Sequence, residues 1–160
     1  MQLRRYRPAD AARLAAVFHR AVQQGTRAVY SQAQRDGWSP TCPSAHRWRA
    51  RLEGLETWVA DVDGRAEGFA SFEPDTGYLD LLFVAPEMIG RGLAFALYRK
   101  VHARCRESGL SRMTAEASEQ SHAFFLRQGW TETGRRSRGE GAACIRTWLM
   151  AHDLADQPVR

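Results

Sequence analysis

The chain has 160 residues, 44% of them hydrophobic and 26% charged, with a formal net charge of +5. That is enough for one domain with a core of its own, and no apolar run approaches the ~20 residues of a bilayer span. Cys42, Cys105 and Cys144 are too few and too scattered for a disulfide framework or a thiolate metal site, so no metal is expected. The basic balance would suit nucleic acid. However, Lys100 is the only lysine, an arginine bias that looks compositional, so the charge alone argues for no nucleic-acid partner. Arg4, Arg5, Arg7, Asp10 and Arg13 interrupt the start of the chain, which predicts no apolar leader and a cytoplasmic location.

In chain order, Gln2–Tyr6 reads as a strand stopped by Pro8. A helix follows, with Leu14, Val17, Phe18 and Val22 at helical spacing up to Gly25. Ser31 is placed to cap a short helix through Trp38, and 44–55 predicts another. Trp58–Val62 is a strand, Asp63-Gly64 a hairpin turn, and Glu67–Glu73 the returning strand. Pro74–Gly77 then turns into a strand ending Leu82-Phe83-Val84. After Gly92, Leu93, Leu97, Val101 and Cys105 form a buried helical stripe, which leaves Arg99, Lys100, His102 and Arg106 on the wet side. A strand at 112–116, a helix at 118–128, a strand from Trp130, a basic turn at 135–141 and a last strand at 143–150 complete the order. The pattern predicts an α/β (α+β) fold: a mixed, mostly antiparallel sheet of about seven strands flanked by helices, in one domain over 1–153. Residues 154–160 read as a disordered tail.

The most informative stretch is strand, Pro86-bearing turn, then Gly90-Arg91-Gly92 opening a helix. Unpaired first-turn N–H groups and the positive end of the helix dipole make such a turn a pyrophosphate site. A P-loop is excluded because Leu93 and Ala94 follow Gly92 where Lys and Ser/Thr belong. A dinucleotide fingerprint is excluded because Phe95 stands where its third glycine belongs. A plain tight turn remains the alternative.

The residues around this turn resemble those of the GNAT superfamily of N-acetyltransferases. Ile89, Gly90, Arg91, Gly92, Leu93 and Ala94 occupy its Gln/Arg-x-x-Gly-x-Gly/Ala signature, after a strand ending at Val84. Ala123–Trp130 is similar to the family's closing helix, and Tyr30-Ser31-x-x-Gln34-x-x-x-Trp38-x-Pro40 to the acceptor-side helix of one bacterial subgroup. The resemblance implies acetyl-CoA as cofactor and acetyl transfer to an amine in a ternary complex. It implies that Leu82, Phe83 and Val84 carry the cofactor's pantetheine arm, a backbone N–H there holding the thioester carbonyl, while 89–94 hold its phosphates. Three departures stand out. Ile89 replaces Gln or Arg, which leaves its backbone N–H for phosphate. Phe125 replaces a tyrosine that protonates the departing thiolate, and Ser118 replaces an asparagine that touches pantetheine. Ser121 and His122 are candidates to assist the thiolate, or are exposed first-turn residues; Arg127 meets nucleotide phosphates or is solvated.

Deprotonating a lysine-like ammonium at pH 7 costs about 4.6 kcal/mol, whereas a thiol near 8.5 lies only about 2 kcal/mol away. A carboxylate base is therefore the residue to seek. If Pro74–Gly77 is a four-residue turn, Glu73 faces Tyr78, Ser71 faces Asp80 and Phe69 faces Leu82. Ser71, Glu73, Tyr78 and Asp80 then share one face, opposite Phe72, Leu79, Leu81 and Phe83. That face is either a solvated sheet surface or an acceptor pocket with Asp80 or Glu73 as base and Ser71 and Tyr78 as contacts. Glu116 is a third candidate base, and Asp80 is preferred. Tyr30 and Trp38 wall the acceptor site or belong to the core. The expected partner is a small-molecule or protein amine, with the chain a monomer or homodimer. The rival class is a non-catalytic CoA-, anion- or nucleic-acid-binding module on the same fold.

Overall fold

The computed structural model describes residues 1–154; residues 155–160 of the expected tail lie outside them. Seven strands form one sheet: β1 (Gln2–Arg5), β2 (Glu56–Val62), β3 (Arg65–Phe72), β4 (Tyr78–Val84), β5 (Arg112–Ser118), β6 (Thr131–Arg138) and β7 (Ile145–Asp153). Their order is β1-β2-β3-β4-β5-β7-β6, antiparallel except between β4 and β5. Helices α1 (Ala11–Arg20), α2 (Gln32–Trp38) and α3 (Ala45–Leu52) lie toward one face, where Trp48 of α3 meets Phe69 of β3 edge-on. Helices α4 (Leu93–Glu107) and α5 (Glu119–Arg127) lie toward the other, joined through Tyr98 and Phe124.

Local chemistry explains most of these elements. The hydroxyls of Ser31 and Ser44 accept the third-residue N–H at the starts of α2 and α3, satisfying a donor the helix leaves orphaned. Asp63 and Gly64 both take left-handed angles, as a two-residue hairpin between right-twisted strands requires. At Gly77, φ is +75° and a Cβ would stand 2.7 Å from the Arg112 carbonyl. Only glycine lets the chain enter β4 this close to β5.

Three expectations change. The stretch read as a basic turn is mostly strand β6, an edge strand exposed along its length and carrying Arg135, Arg136 and Arg138. Charge on an edge strand deters further pairing, which is why it resembles a loop in composition. His102 is buried rather than wet, packed against Tyr98 and His152. Helix α4 buries Tyr98 and His102 besides the Leu93–Leu97–Val101–Cys105 stripe, because α5 and β7 cover its second side. Leu154, placed in the tail, is buried in the core, and its N–H donates to Ser111.

Candidate active site

The sheet opens between β4 and β5. They pair only at Tyr78–Thr114 and Leu79–Ala115, then diverge, so residues 80–84 of β4 have no strand on that side. The Ala85 N–H donates to the Glu67 carbonyl of the neighbouring strand β3. Antiparallel alternation then turns the amides of Phe83 toward β3 and those of Leu82 and Val84 toward the gap. This free edge is the inner wall of a cleft of about 910 Å³.

One end of the cleft is the glycine turn. Gly90 and Gly92 have φ of +79° and +81°, and a Cβ built on either meets nothing within 4 Å. Glycine is thus required by the backbone angle, and the space in front of it is open. The Ile89 and Arg91 amides donate back to Pro86 and Met88 within the turn, so Ile89 does not offer the free N–H expected of it. Among the described residues, the N–H groups of Gly90, Gly92, Leu93 and Ala94 make no hydrogen bond. These donors, with Arg127 also lining the cleft, form an anion cradle at the start of a fifteen-residue helix. The Arg91 side chain does not line it.

The middle of the cleft is closed by α5. The Ser118 hydroxyl accepts from the Ser121 N–H, and the Ser118 N–H donates to the Ser121 hydroxyl 3.0 Å away. Both serines line the cleft while forming a reciprocal cap. Phe125 also lines it, packed on Trp130 with ring centroids 4.8 Å apart. His122 does not: it stacks on Trp148 and its Nε2 lies 2.6 Å from Glu132.

The other end is aromatic and charged. Trp38 lines it, edge-on to Phe83. Helix α2 roofs this end, since Gln34 donates to the Cys144 carbonyl and Gly37 packs on Ala143. Of the two places open to Tyr30, wall or core, it takes the core: it is buried, and its hydroxyl accepts the Glu119 N–H at 2.7 Å. It caps α5 instead of meeting an acceptor.

The register of β3 and β4 departs from the expected one. Glu73 faces Tyr78, and Phe72 pairs with Leu79, but Ser71 pairs with Leu81 and Phe69 with Phe83. Asp80 is the extra residue of a β-bulge. Leu79 therefore stays with Phe72, while Leu81 and Phe83 share the face of Ser71 and Phe69. Ser71 is not an acceptor contact: it is fully buried, its hydroxyl 2.8 Å from that of Thr57. Glu73 lies outside the cleft, accepting from the Thr76 hydroxyl in the turn.

At the bulge, Asp80 reaches α3, where its carboxylate lies 2.6 Å from Arg51 Nη1. Across the gap, Glu116 of β5 accepts from Arg138 and from the Thr147 hydroxyl. The Arg138 hydrogen bonds outweigh the effect of burial and hold the Glu116 carboxyl below its ordinary range. Tyr78 stands at the vertex; burial first, then the charges of Asp80 and Glu116, push its phenol up, so it stays a neutral hydroxyl. Arg51 and Thr147 were not singled out from sequence, and Arg138 was read only as part of a basic turn. The only signal for Arg51 was its i, i+3 spacing from Trp48, which puts both on the cleft side of α3.

A family model described as an acetyltransferase (GNAT) domain matches residues 26–147. The chain belongs to the GNAT acetyltransferase family. It is 34% identical over 149 residues to the uncharacterized N-acetyltransferase YafP of Escherichia coli, an alignment covering 93% of this chain and 91% of that one. A GCN5-related N-acetyltransferase from Rhodopseudomonas palustris superposes with a TM-score of 0.87 at 29% identity, over 96% of this chain and 95% of that one. A phosphinothricin acetyltransferase from Sinorhizobium meliloti, solved in complex with AcCoA, shares the fold with a TM-score of 0.75 at 22% identity, covering 98% and 92% of the two chains. Acetyl transfer is therefore the general chemistry of this GNAT chain, and the mixed seven-stranded sheet is the fold of its neighbours.

Proposed function

We propose that this GNAT protein is a cytoplasmic enzyme that transfers the acetyl group of acetyl-CoA to the primary amine of a small molecule or protein, by direct attack in a ternary complex. The observation that carries the proposal is the single cleft running from the Gly90–Gly92 donors, past the free β4 edge, to Asp80 and Glu116. The residues fit the cofactor. Open, unpaired N–H groups suit a pyrophosphate, and the Leu82 and Val84 amides suit the pantetheine amides as an added strand would. No helix among the described residues is long and apolar enough to cross a membrane, and Cys42, Cys105 and Cys144 are unpaired, as in a reducing compartment.

Acetyl-CoA, held by the Gly90, Gly92, Leu93 and Ala94 N–H groups and the Leu82 and Val84 amides, would supply the acetyl thioester: the carbon to which the amine nitrogen bonds and the C–S bond that breaks. Asp80 removes the ammonium proton, directly or through one water. It is preferred to Glu116, whose carboxyl is held ionised by Arg138 and is a weaker proton acceptor. A backbone N–H on the gap side of β4 polarises the carbonyl. Phe125 offers the thiolate no proton, and at about 2 kcal/mol that step tolerates the loss.

The test is thiol release from acetyl-CoA across a panel of amines. Release that depends on an amine, with the acetylated amine recovered, supports the proposal. Cofactor binding without turnover of any amine moves the protein to the binding-only class.

A further inference from the structure

The acceptor end of the cleft holds its charges in pairs, and this limits what can enter. Asp80 is matched by Arg51 and Glu116 by Arg138, with Arg136 Nη1 a further 3.8 Å from Glu116. Counted together, the acceptor end carries three guanidinium groups against two carboxylates. A pocket selecting a bare ammonium or a polyamine would leave carboxylates unmatched, because each further cation needs a compensating charge. Among the described residues, this pocket has no spare negative charge.

Depth separates the two signs. The Glu116 and Asp80 side chains keep 8% and 19% of their surface exposed, whereas Arg51 and Arg138 keep 43% and 61%. The carboxylates thus lie inside, near the free β4 edge, and the arginines outside, at the mouth. Arg51 comes from α3 and Arg138 from the end of β6, so the two guanidinium groups approach from opposite walls. Long exposed arginines can swing from a carboxylate to another anion at little cost, and the guanidinium fork matches a planar or tetrahedral oxyanion.

From this arrangement we infer that the acceptor is a small zwitterion, carrying its primary ammonium and an anionic group such as a carboxylate or phosphonate on one molecule. The ammonium faces Asp80 and Glu116, and the anionic group takes Arg51 and Arg138. A molecule of zero net charge leaves the charge balance of the pocket as it was, its ammonium shared by the two carboxylates and its anionic group by the two guanidinium groups. The Tyr78 hydroxyl, neutral at the vertex, is available to either group. The inference rests on the acetyltransferase proposal above.

The test compares acceptors that differ only in the anionic group: proteinogenic amino acids and an aminoalkylphosphonate, each against its carboxamide or the amine lacking the acid. The expected kcat/KM for the zwitterion exceeds that of its uncharged counterpart by about 30-fold, as for a lost charge-assisted contact. Arg51→Gln and Arg138→Gln each shrink that ratio by about tenfold, whereas Arg65→Gln, at the start of β3 and outside the cleft lining, leaves it as in the wild type. A decarboxylated amine, putrescine or the N-terminus of a tetrapeptide turning over as efficiently as the best zwitterion overturns the inference while leaving acetyl transfer intact. Turnover of no amine at all defeats the acetyltransferase proposal instead.

Discussion

Asp80 and Arg51 meet where β4 carries one residue more than β3 across from it. Asp80, the extra residue, lies on the α3 side of the sheet, 2.6 Å from the Arg51 guanidinium. Without the bulge Asp80 would pair directly with Ser71, and Leu81 would turn to the face of Leu79 and Phe72.

If Asp80 takes the ammonium proton, Asp80→Asn keeps the shape nearly intact but removes the base, together with the charge that matches Arg51. We expect kcat/KM to fall about 10²- to 10³-fold, within the range for general-base loss, with the residual activity rising steeply as pH approaches the free amine's own pKa. Steady-state kinetics from pH 6 to 10 check this, beside a circular dichroism spectrum showing a folded protein.

The glycine turn separates backbone strain from ligand access. Gly90→Ala forces a left-handed angle on a residue with a Cβ, costing about 1 kcal/mol, and Tm should drop by a few degrees. Gly90→Asn tolerates that angle better, so it regains most of the loss, yet its side chain fills the open space where phosphate oxygens are expected. For both variants we expect the KM for acetyl-CoA to rise roughly tenfold, with a smaller change in the KM for amine.

Phe125 makes a milder prediction. Phe125→Tyr introduces a proton donor in the middle of the cleft, at the thiolate step that is worth only about 2 kcal/mol. The expected change in kcat is about threefold or less. A gain of a hundredfold would show that thiolate protonation limits turnover in the wild type.

Acid sensitivity should have two separable phases. Burial first, then the neighbouring His152, push the His102 imidazole down to about 4, and its Nδ1 has no hydrogen-bond partner. The unfolded chain binds this proton near 6.5, so stability is complete above that pH. It is lost as pH falls from 6.5 toward 4, by an amount on the order of 2–3 kcal/mol. Glu56 acts lower: burial alone would raise it, but hydrogen bonds from Arg104, Trp58 and Arg5 outweigh that and bring it to about 2. Its contribution is present above about 4.5 and is lost below. Thermal melts of wild type and His102→Phe between pH 7 and 4.5 should show a falling Tm that the variant flattens.

Much of this was legible from sequence because it is local. Ser31 before a short periodic run, Asp63-Gly64 between strands and Gly90-Arg91-Gly92 after an apolar strand each encode their geometry within a few residues. What was not legible depends on distant partners. The bulge at Asp80 is marked only by the run Leu81–Val84, which breaks polar–apolar alternation without saying where the extra residue falls. The arginines of β6 look like a wet turn until β5 supplies Glu116 as a partner for Arg136 and Arg138. Tyr30 reads equally as pocket wall or core because nothing nearby reveals that the N–H it accepts belongs to Glu119, 89 residues later.

The central claim is direct transfer between two molecules held in one cleft, and among the described residues no cysteine lines that cleft to carry the acetyl group between them. Initial rates measured over a grid of acetyl-CoA and amine concentrations test it most directly. Double-reciprocal lines that intersect, with no acetyl group left on protein incubated with acetyl-CoA alone, are the predicted result. Parallel lines with an isolable acetylated protein, or no amine-dependent rate at any concentration, would contradict it.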